Sequence, residues 1–324
     1  MNSFGRKYRI SIFGESHGDA VGVVIDGTPA GIALTEADFT ADLDRRRSGA
    51  KGTTPRKESD APHIVSGIYN GLTTGAPLTI LFRNENTLSG DYRNLTDHPR
   101  PSHSDFVARV KYGGYNDPRG GGHFSGRITL GLVAAGVVAK KIIPDINIVA
   151  RILEIGGCSE NIAELIDGVI REQDSLGGVI ECRAAGVPVG LGEPFFDSVE
   201  SVLSHMLFSI PAIKGIEFGT GFGVARMRGS ENNDAIIDPC GTTATNNGGG
   251  IAGGITNGNE LVVRVAVKPT ASISQGQQTY NFASNQVEEL KIKGRHDACI
   301  ALRAPVILEA ATAIVLADFS LLNS

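Results

Sequence analysis

Apolar and polar residues alternate along Tyr8-Arg9-Ile10-Ser11-Ile12-Phe13, which predicts a half-buried strand. The stretch Ala20-Val21-Gly22-Val23-Val24-Ile25-Asp26-Gly27 is β-branched and punctuated by glycine, so it predicts a second strand rather than a helix. The same reading gives strands at Pro77-Leu78-Thr79-Ile80-Leu81-Phe82, Val179-Ile180-Glu181-Cys182-Arg183 and Leu261-Val262-Val263-Arg264-Val265-Ala266-Val267. Helical spacing predicts three helices. One is capped by Thr35 and runs to about Arg47, with Phe39 and Leu43 on one face. A second, rich in Ala and Val, runs from Ile128 to Ile143 and ends at Pro144. A third runs from Ala304 to Leu322, its apolar surface broken mainly by Glu309 and Asp318, with Pro305 tolerable in the first turn.

Helices and strands mix without a regular βαβ rhythm, which favours an α+β fold with antiparallel sheets. A faint two-part echo exists: Gly120 to Arg127 precedes the second helix, and Gly294-Arg295 precedes the third. It falls short of a repeat, and no linker divides the chain, so residues 1–324 are expected to form one large domain.

Composition changes this picture in two places. The chain has 42 glycines in 324 residues, about twice the usual share, clustered in loops where backbone must turn tightly or approach a ligand. A net charge of -5 argues against a general nucleic-acid or membrane-surface binder. Yet Arg45-Arg46-Arg47, Arg56-Lys57, Arg100, Arg109, Lys111, Arg119 and Arg127 crowd into one third of the chain, a density suited to a small anionic substrate. The bland reading of the first three is that they complement the C-terminus of their helix. Four widely spaced cysteines indicate neither a zinc site nor a disulfide framework. No signal peptide is read and no uninterrupted apolar run approaches about 18 residues, so a cytoplasmic location is expected.

Gly14-Glu15-Ser16-His17-Gly18 matches the G-x-S-x-G nucleophile pattern, but that elbow needs a strand, a turn and then a helix. Here strand follows strand, so Ser16 is not expected to be a hydrolase nucleophile, and His17, able to carry a proton near neutral pH, is the candidate group of this loop. Arg100-Pro101-Ser102-His103-Ser104-Asp105 sets a second histidine beside an arginine in a proline-stiffened loop. Arg119-Gly120-Gly121-Gly122-His123-Phe124-Ser125, just before a helix, can present backbone N–H groups to an anion. The glycine-rich stretch 246–255 has neither Walker nor Rossmann spacing, but Lys268-Pro269-Thr270-Ala271-Ser272 ends a strong strand with a cation and hydroxyls. Gly294-Arg295-His296-Asp297 packs a cation, an imidazole and a carboxylate into one turn.

Taken in order, the motifs at 14–18, 44–47, 100–105, 119–122, 268–270 and 294–297, with Val133-Ala134-Ala135-Gly136, Lys140-Lys141 and Ile213-Lys214-Gly215-Ile216-Glu217, resemble chorismate synthases over nearly the whole chain. The resemblance implies a layered β-α-β sandwich with helices between two antiparallel sheets, assembled as a homotetramer. It implies an FMN-dependent lyase, taking 5-enolpyruvylshikimate 3-phosphate to chorismate and phosphate by anti 1,4-elimination, with reduced FMN required and no net redox change. The C6 hydrogen of that substrate has no adjacent carbonyl to acidify it, which explains the demand for a flavin.

Carried over by position, the resemblance implies His17 and His103 as proton-handling residues at the flavin and the departing phosphate. Asp297 is implied as the carboxylate that removes the C6 proton. Arg46, Lys51, Arg100 and Arg127 are implied substrate contacts. His123, Phe124, Ser125, Ala212, Gly253, Lys268, Pro269, Thr270, Ala271, Ser272 and Arg295 are implied flavin contacts. Most members carry Arg where this chain has His123, and Glu where it has Ile128. No Rossmann fingerprint is present, so no intrinsic NADP(H)-dependent reductase is expected and reduced flavin is expected from an external reductant.

Overall fold

The computed structural model describes residues 1–54, 58–86, 95–292 and 296–323. Two antiparallel sheets carry the architecture. The first has five strands in the order Ser3–Phe4, Arg9–Gly14, Ala20–Asp26, Leu78–Arg83, His63–Ser66. The second has four, in the order Ile213–Phe218, Leu261–Val267, Gly178–Ala185, Asn147–Ile155. The helix Thr129–Ile142 packs on the first sheet, Pro305–Leu322 packs on the second, and the two helices pack on each other. This is the expected β-α-β layering. Its cause lies in the helices: both are buried nearly all round, as an element sandwiched between two apolar layers must be.

The central helices approach closely because Gly136 faces Ala310. A Cβ on Gly136 would stand 2.3 Å from Ala310 Cβ and 2.5 Å from its Cα. Two polar groups in this core are satisfied over long sequence separations. Glu309 takes both terminal nitrogens of Arg45 at 2.6 and 2.7 Å and the Ala150 backbone N–H at 2.9 Å. Asp318 accepts the backbone N–H groups of Arg6, Lys7 and Tyr8, pinning the start of the first sheet. The helix Pro305–Leu322 has the length and composition to cross a membrane, yet 78% of it is buried inside the protein. It is a core helix.

The strand expectations land within a residue or two, and the strand Leu261–Val267 begins and ends where the sequence pattern places it. The segment after Thr35 begins as a 3-10 turn, Glu36–Phe39, and becomes α-helical only over Thr40–Arg46. The Asp38 carboxylate accepts the Thr35 N–H at 2.7 Å and tightens that first turn. Among the described residues four α-helices go beyond the sequence expectations: Asp105–Lys111, Ile162–Arg171, Val199–Ser209 and the single turn Gly229–Asn232. The hairpin Gln277–Asn281 and Gln286–Leu290 carries a small satellite core of Leu95, Leu290 and Ile292.

Candidate active site

The chain makes a strand-loop-strand connection at Gly14-Glu15-Ser16-His17-Gly18, because Arg9–Gly14 pairs directly with Ala20–Asp26. No helix follows, so the nucleophile-elbow geometry is excluded. The loop is held by Asn84, whose side-chain amide donates to the carbonyls of Glu15 and Gly18, and by the Ser16 N–H on Gly122 O at 3.1 Å. Over it lies Gly120 at φ 59°, where a Cβ would come within 2.5 Å of the His17 ring. Only glycine fits there.

Both glycine-bearing loops open onto a cavity of about 720 Å³, lined from all parts of the chain. That volume lies in the upper range of small-molecule sites. Its cations are Arg46, Arg100, Arg127, Arg303, Lys214 and Lys268; its carboxylates are Glu58, Asp60 and Asp297. The three consecutive arginines part company here. Arg45 turns to Glu309 in the core, and Arg47 pairs with Asp44 and reaches the Ser59 carbonyl. Arg46 alone lines the cavity. Complementing the helix terminus therefore does not describe all three.

Arg46 is 3% exposed and meets Asp60 at 3.5 Å, while its Nε and Nη1 have no hydrogen-bond partner among the described residues. Burial lowers its pKa to about 9, partly offset by Asp60 and reinforced by Arg303 and Arg127. A buried guanidinium with donors left over is chemically suited to an anion. Arg127 is better held: Nη1 donates to Asp60 at 2.8 Å, Nη2 to the Arg83 carbonyl at 3.1 Å, and Nε to Asn84. Asp60 reaches both arginines from a left-handed backbone at φ 49°. Thr270 Oγ1 is a further buried polar atom at the cavity without a partner.

On another wall, Arg100 donates through Nη1 to Ser272 Oγ at 2.8 Å, and Lys268 Nζ donates to the Ser102 carbonyl at 2.6 Å. These bonds tie the loop carrying His103 to the strand end at 268–272. His103 sits with Nδ1 2.7 Å from Asp105 Oδ1. Burial depresses the imidazole pKa; the Asp105 bond opposes this, and the charges of Arg100 and Lys268 add to it. Burial and Lys214 likewise depress Lys268. Asp297 receives Arg303 Nη2 on Oδ2 at 2.9 Å, Arg303 Nε on Oδ1 at 3.2 Å and the Thr54 N–H on Oδ1 at 3.0 Å.

A model of the chorismate synthase family matches residues 8–321. The chain is 62% identical over 324 residues to a protein from Chitinophaga pinensis named chorismate synthase, covering 100% of this chain and 97% of that one. It is 48% identical over 352 residues to a chorismate synthase from Dehalococcoides mccartyi, covering 99% and 96%. A solved structure described as the crystal structure of chorismate synthase superposes with a TM-score of 0.76 at 28% identity, covering 99% of this chain and 93% of that one.

The chain belongs to the chorismate synthase family.

The residues implied by the family resemblance divide by position. Arg46, Arg100, His103, His123, Phe124, Ser125, Arg127, Ala212, Lys268, Pro269, Thr270, Ala271, Ser272 and Asp297 all line the one cavity. His17 does not: Ser16 is the loop residue at the wall, and the His17 ring lies behind Gly120. Lys51 is exposed and pairs with Asp167 at 2.7 Å, away from the cavity lining. Gly253 sits in the turn between Ile251–Ala252 and Ile255–Thr256, also outside that lining. Arg295 lies outside the described residues. Arg109, Lys111 and Arg119, included above in the charge density, do not line this cavity; Arg109 pairs with Asp97 and Arg119 with Asp117.

In the glycine loop, His123 Nδ1 bonds the Gly14 carbonyl at 2.8 Å and its Nε2 lies 3.2 Å from Asn2 Oδ1. The imidazole thus ties the loop to the N-terminal strand, which forms part of the cavity wall. Ile128 is buried at the same wall. Sequence reasoning missed Asp60, Glu58, Arg303 and Thr54. For Asp60, Glu58 and Thr54 the signal is spatial, since each bonds a group far along the chain, whereas Arg303 bonds Asp297 only six residues away.

Proposed function

We propose that the chain is the lyase of the last step of the shikimate pathway, converting 5-enolpyruvylshikimate 3-phosphate to chorismate and phosphate by anti 1,4-elimination with reduced FMN. The observation that carries this reading is Arg46, a desolvated guanidinium with two donors unpartnered among the described residues, in a cavity also lined by His103 and Asp297. The substrate bears a phosphate and two carboxylates, and the guanidiniums of Arg46, Arg100 and Arg127 supply matching charge in a water-poor wall. A flavin fits the donor set: the cavity is large enough for more than one small molecule, and Thr270 Oγ1, Lys268 and the Ala212 turn offer polar contacts to it. When bound, reduced FMN would supply transient electron density to a substrate whose C6 hydrogen is otherwise inert.

In this reading His103, neutral in the ligand-free protein, gains proton affinity as a phosphate dianion settles beside it and then hands its proton to the leaving group. Arg303 and the Thr54 N–H hold the Asp297 carboxylate in one orientation for proton removal. His17, behind Gly120, acts on the cavity through that loop. We propose reduced flavin from an external donor, a cytoplasmic setting and a homotetramer; Phe195, Phe196 and Phe222, 85%, 91% and 80% exposed, support burial against further copies. The deciding experiment is an anaerobic phosphate-release assay on 5-enolpyruvylshikimate 3-phosphate. Release is expected only with reduced FMN and without stoichiometric loss of reductant; release indifferent to the flavin's redox state overturns the proposal.

A further inference from the structure

Asp105 is the first residue of the helix Asp105–Lys111, and its side chain folds back over the loop that precedes it. Its Oδ2 accepts the Arg100 backbone N–H at 3.1 Å and Arg100 Nε at 2.7 Å. Its Oδ1 accepts Arg100 Nη2 at 2.7 Å and meets His103 Nδ1 at 2.7 Å. The carboxylate is 8% exposed, and four hydrogen bonds converge on it. Burial by itself would raise its pKa, but the bonds from Arg100 and His103 overcome this and hold it well below the usual carboxylate range. It is therefore an anion, and an anion accepts only. The imidazole must present Nδ1 as N–H, which leaves Nε2 as the nitrogen that takes up or gives a proton.

We propose that Asp105 is the positioning residue of this site: one buried carboxylate that fixes His103 in the Nδ1–H tautomer and, through its other edge, orients the Arg100 guanidinium. The tautomer claim stands on this geometry alone; its consequence for turnover rests on the function proposed above. A plain ion pair with Arg100 would need neither the shared oxygen nor the histidine. Sharing Oδ1 couples the two, so that the anion-binding arginine and the proton-carrying imidazole keep one fixed relation across the loop stiffened by Pro99 and Pro101.

The test is nitrogen NMR of the full chain labelled with ¹⁵N-histidine, the His103 signals being identified by their loss in His103→Gln. The unmodified protein is expected to show Nδ1 protonated and Nε2 bare at neutral pH. In Asp105→Asn the amide oxygen is expected on the Oδ2 side, where two obligate Arg100 donors converge. That turns the amide N–H toward His103 Nδ1 and switches the ring to the Nε2–H tautomer. Turnover should then fall by about 10²-fold or more with KM changed much less, and Asp105→Glu, which keeps an acceptor, should retain the original tautomer. An Nε2–H or averaging ring in the unmodified protein, or an unchanged tautomer in Asp105→Asn, overturns the positioning role. A switched tautomer with undiminished turnover overturns instead the part given to His103 in the reaction.

Discussion

Replacing Arg46 by methionine is expected to move stability and binding in opposite directions. In the ligand-free chain Arg46 is a charge held away from water, its pKa lowered from the ordinary guanidinium range to about 9. At about 1.4 kcal/mol for each tenfold in proton affinity, that lowering is a strain of roughly 3–5 kcal/mol in the ligand-free fold. Methionine fills similar space without charge, and Asp60 keeps Arg127 at 2.8 Å, so no carboxylate is orphaned. That lowering already includes the attraction of Asp60; after allowing for imperfect packing of methionine, a net gain of about 1–3 kcal/mol is expected, seen as a melting temperature raised by several degrees. Binding loses two charge-assisted hydrogen bonds of about 1.5–3 kcal/mol each, so the dissociation constant for 5-enolpyruvylshikimate 3-phosphate should rise by about 10²–10⁴-fold. Calorimetric melting of the ligand-free protein and isothermal titration without flavin measure the two arms. A fall in melting temperature with an unchanged dissociation constant would refute the reasoning, because Arg46 would then be a structural cation.

Gly136→Ala should destabilise by about 1–3 kcal/mol or more, since its Cβ would overlap backbone of the facing helix at Ala310; an unchanged melting curve would show that the helix pair can part freely. Asp318→Ala removes the acceptor of three backbone N–H groups and should cost about 2–4 kcal/mol, with faster hydrogen exchange over residues 3–13; protection left intact there would deny the anchoring. The depressed His103 pKa means that below about pH 6.5 the unfolded chain binds a proton that the folded chain refuses. Stability should therefore fall as pH drops through that region, and His103→Gln should flatten the slope there; a steeper slope in the variant would contradict the sign.

Much of the fold is written in local pattern. Leu261–Val267 alternates so regularly that its bounds are legible, and the C-terminal helix announces itself by length and apolarity. Ile162–Arg171 was overlooked although Leu165, Ile166 and Val169 give it an apolar face, because its glycine and β-branched residues dilute the helical signal. The G-x-S-x-G pattern misleads when read alone. The pairing of the strands on either side removes the hydrolase reading, and the position of Gly120 then places Ser16 at the cavity and His17 behind it.

The sequence by itself determined the periodicities, the strand-loop-strand setting of the first motif, the crowding of arginines in one third of the chain and the ordered motifs of the chorismate synthase family. The tertiary structure alone decided what each charge does. Arg45, Arg46 and Arg47 are neighbours in sequence and of one residue type, yet one reaches from a half-exposed position to the buried Glu309, one faces the cavity and one bonds Asp44 and the Ser59 carbonyl. Successive residues on a helix point about 100° apart, so three in a row must meet three environments. Arg47 meets its local i,i+3 neighbour Asp44, but the partners of Arg45 and Arg46 lie at positions 309 and 60, brought near by packing of the sheets and helices. Charge partners across such separations leave no periodic trace, and only the folded chain assigns them.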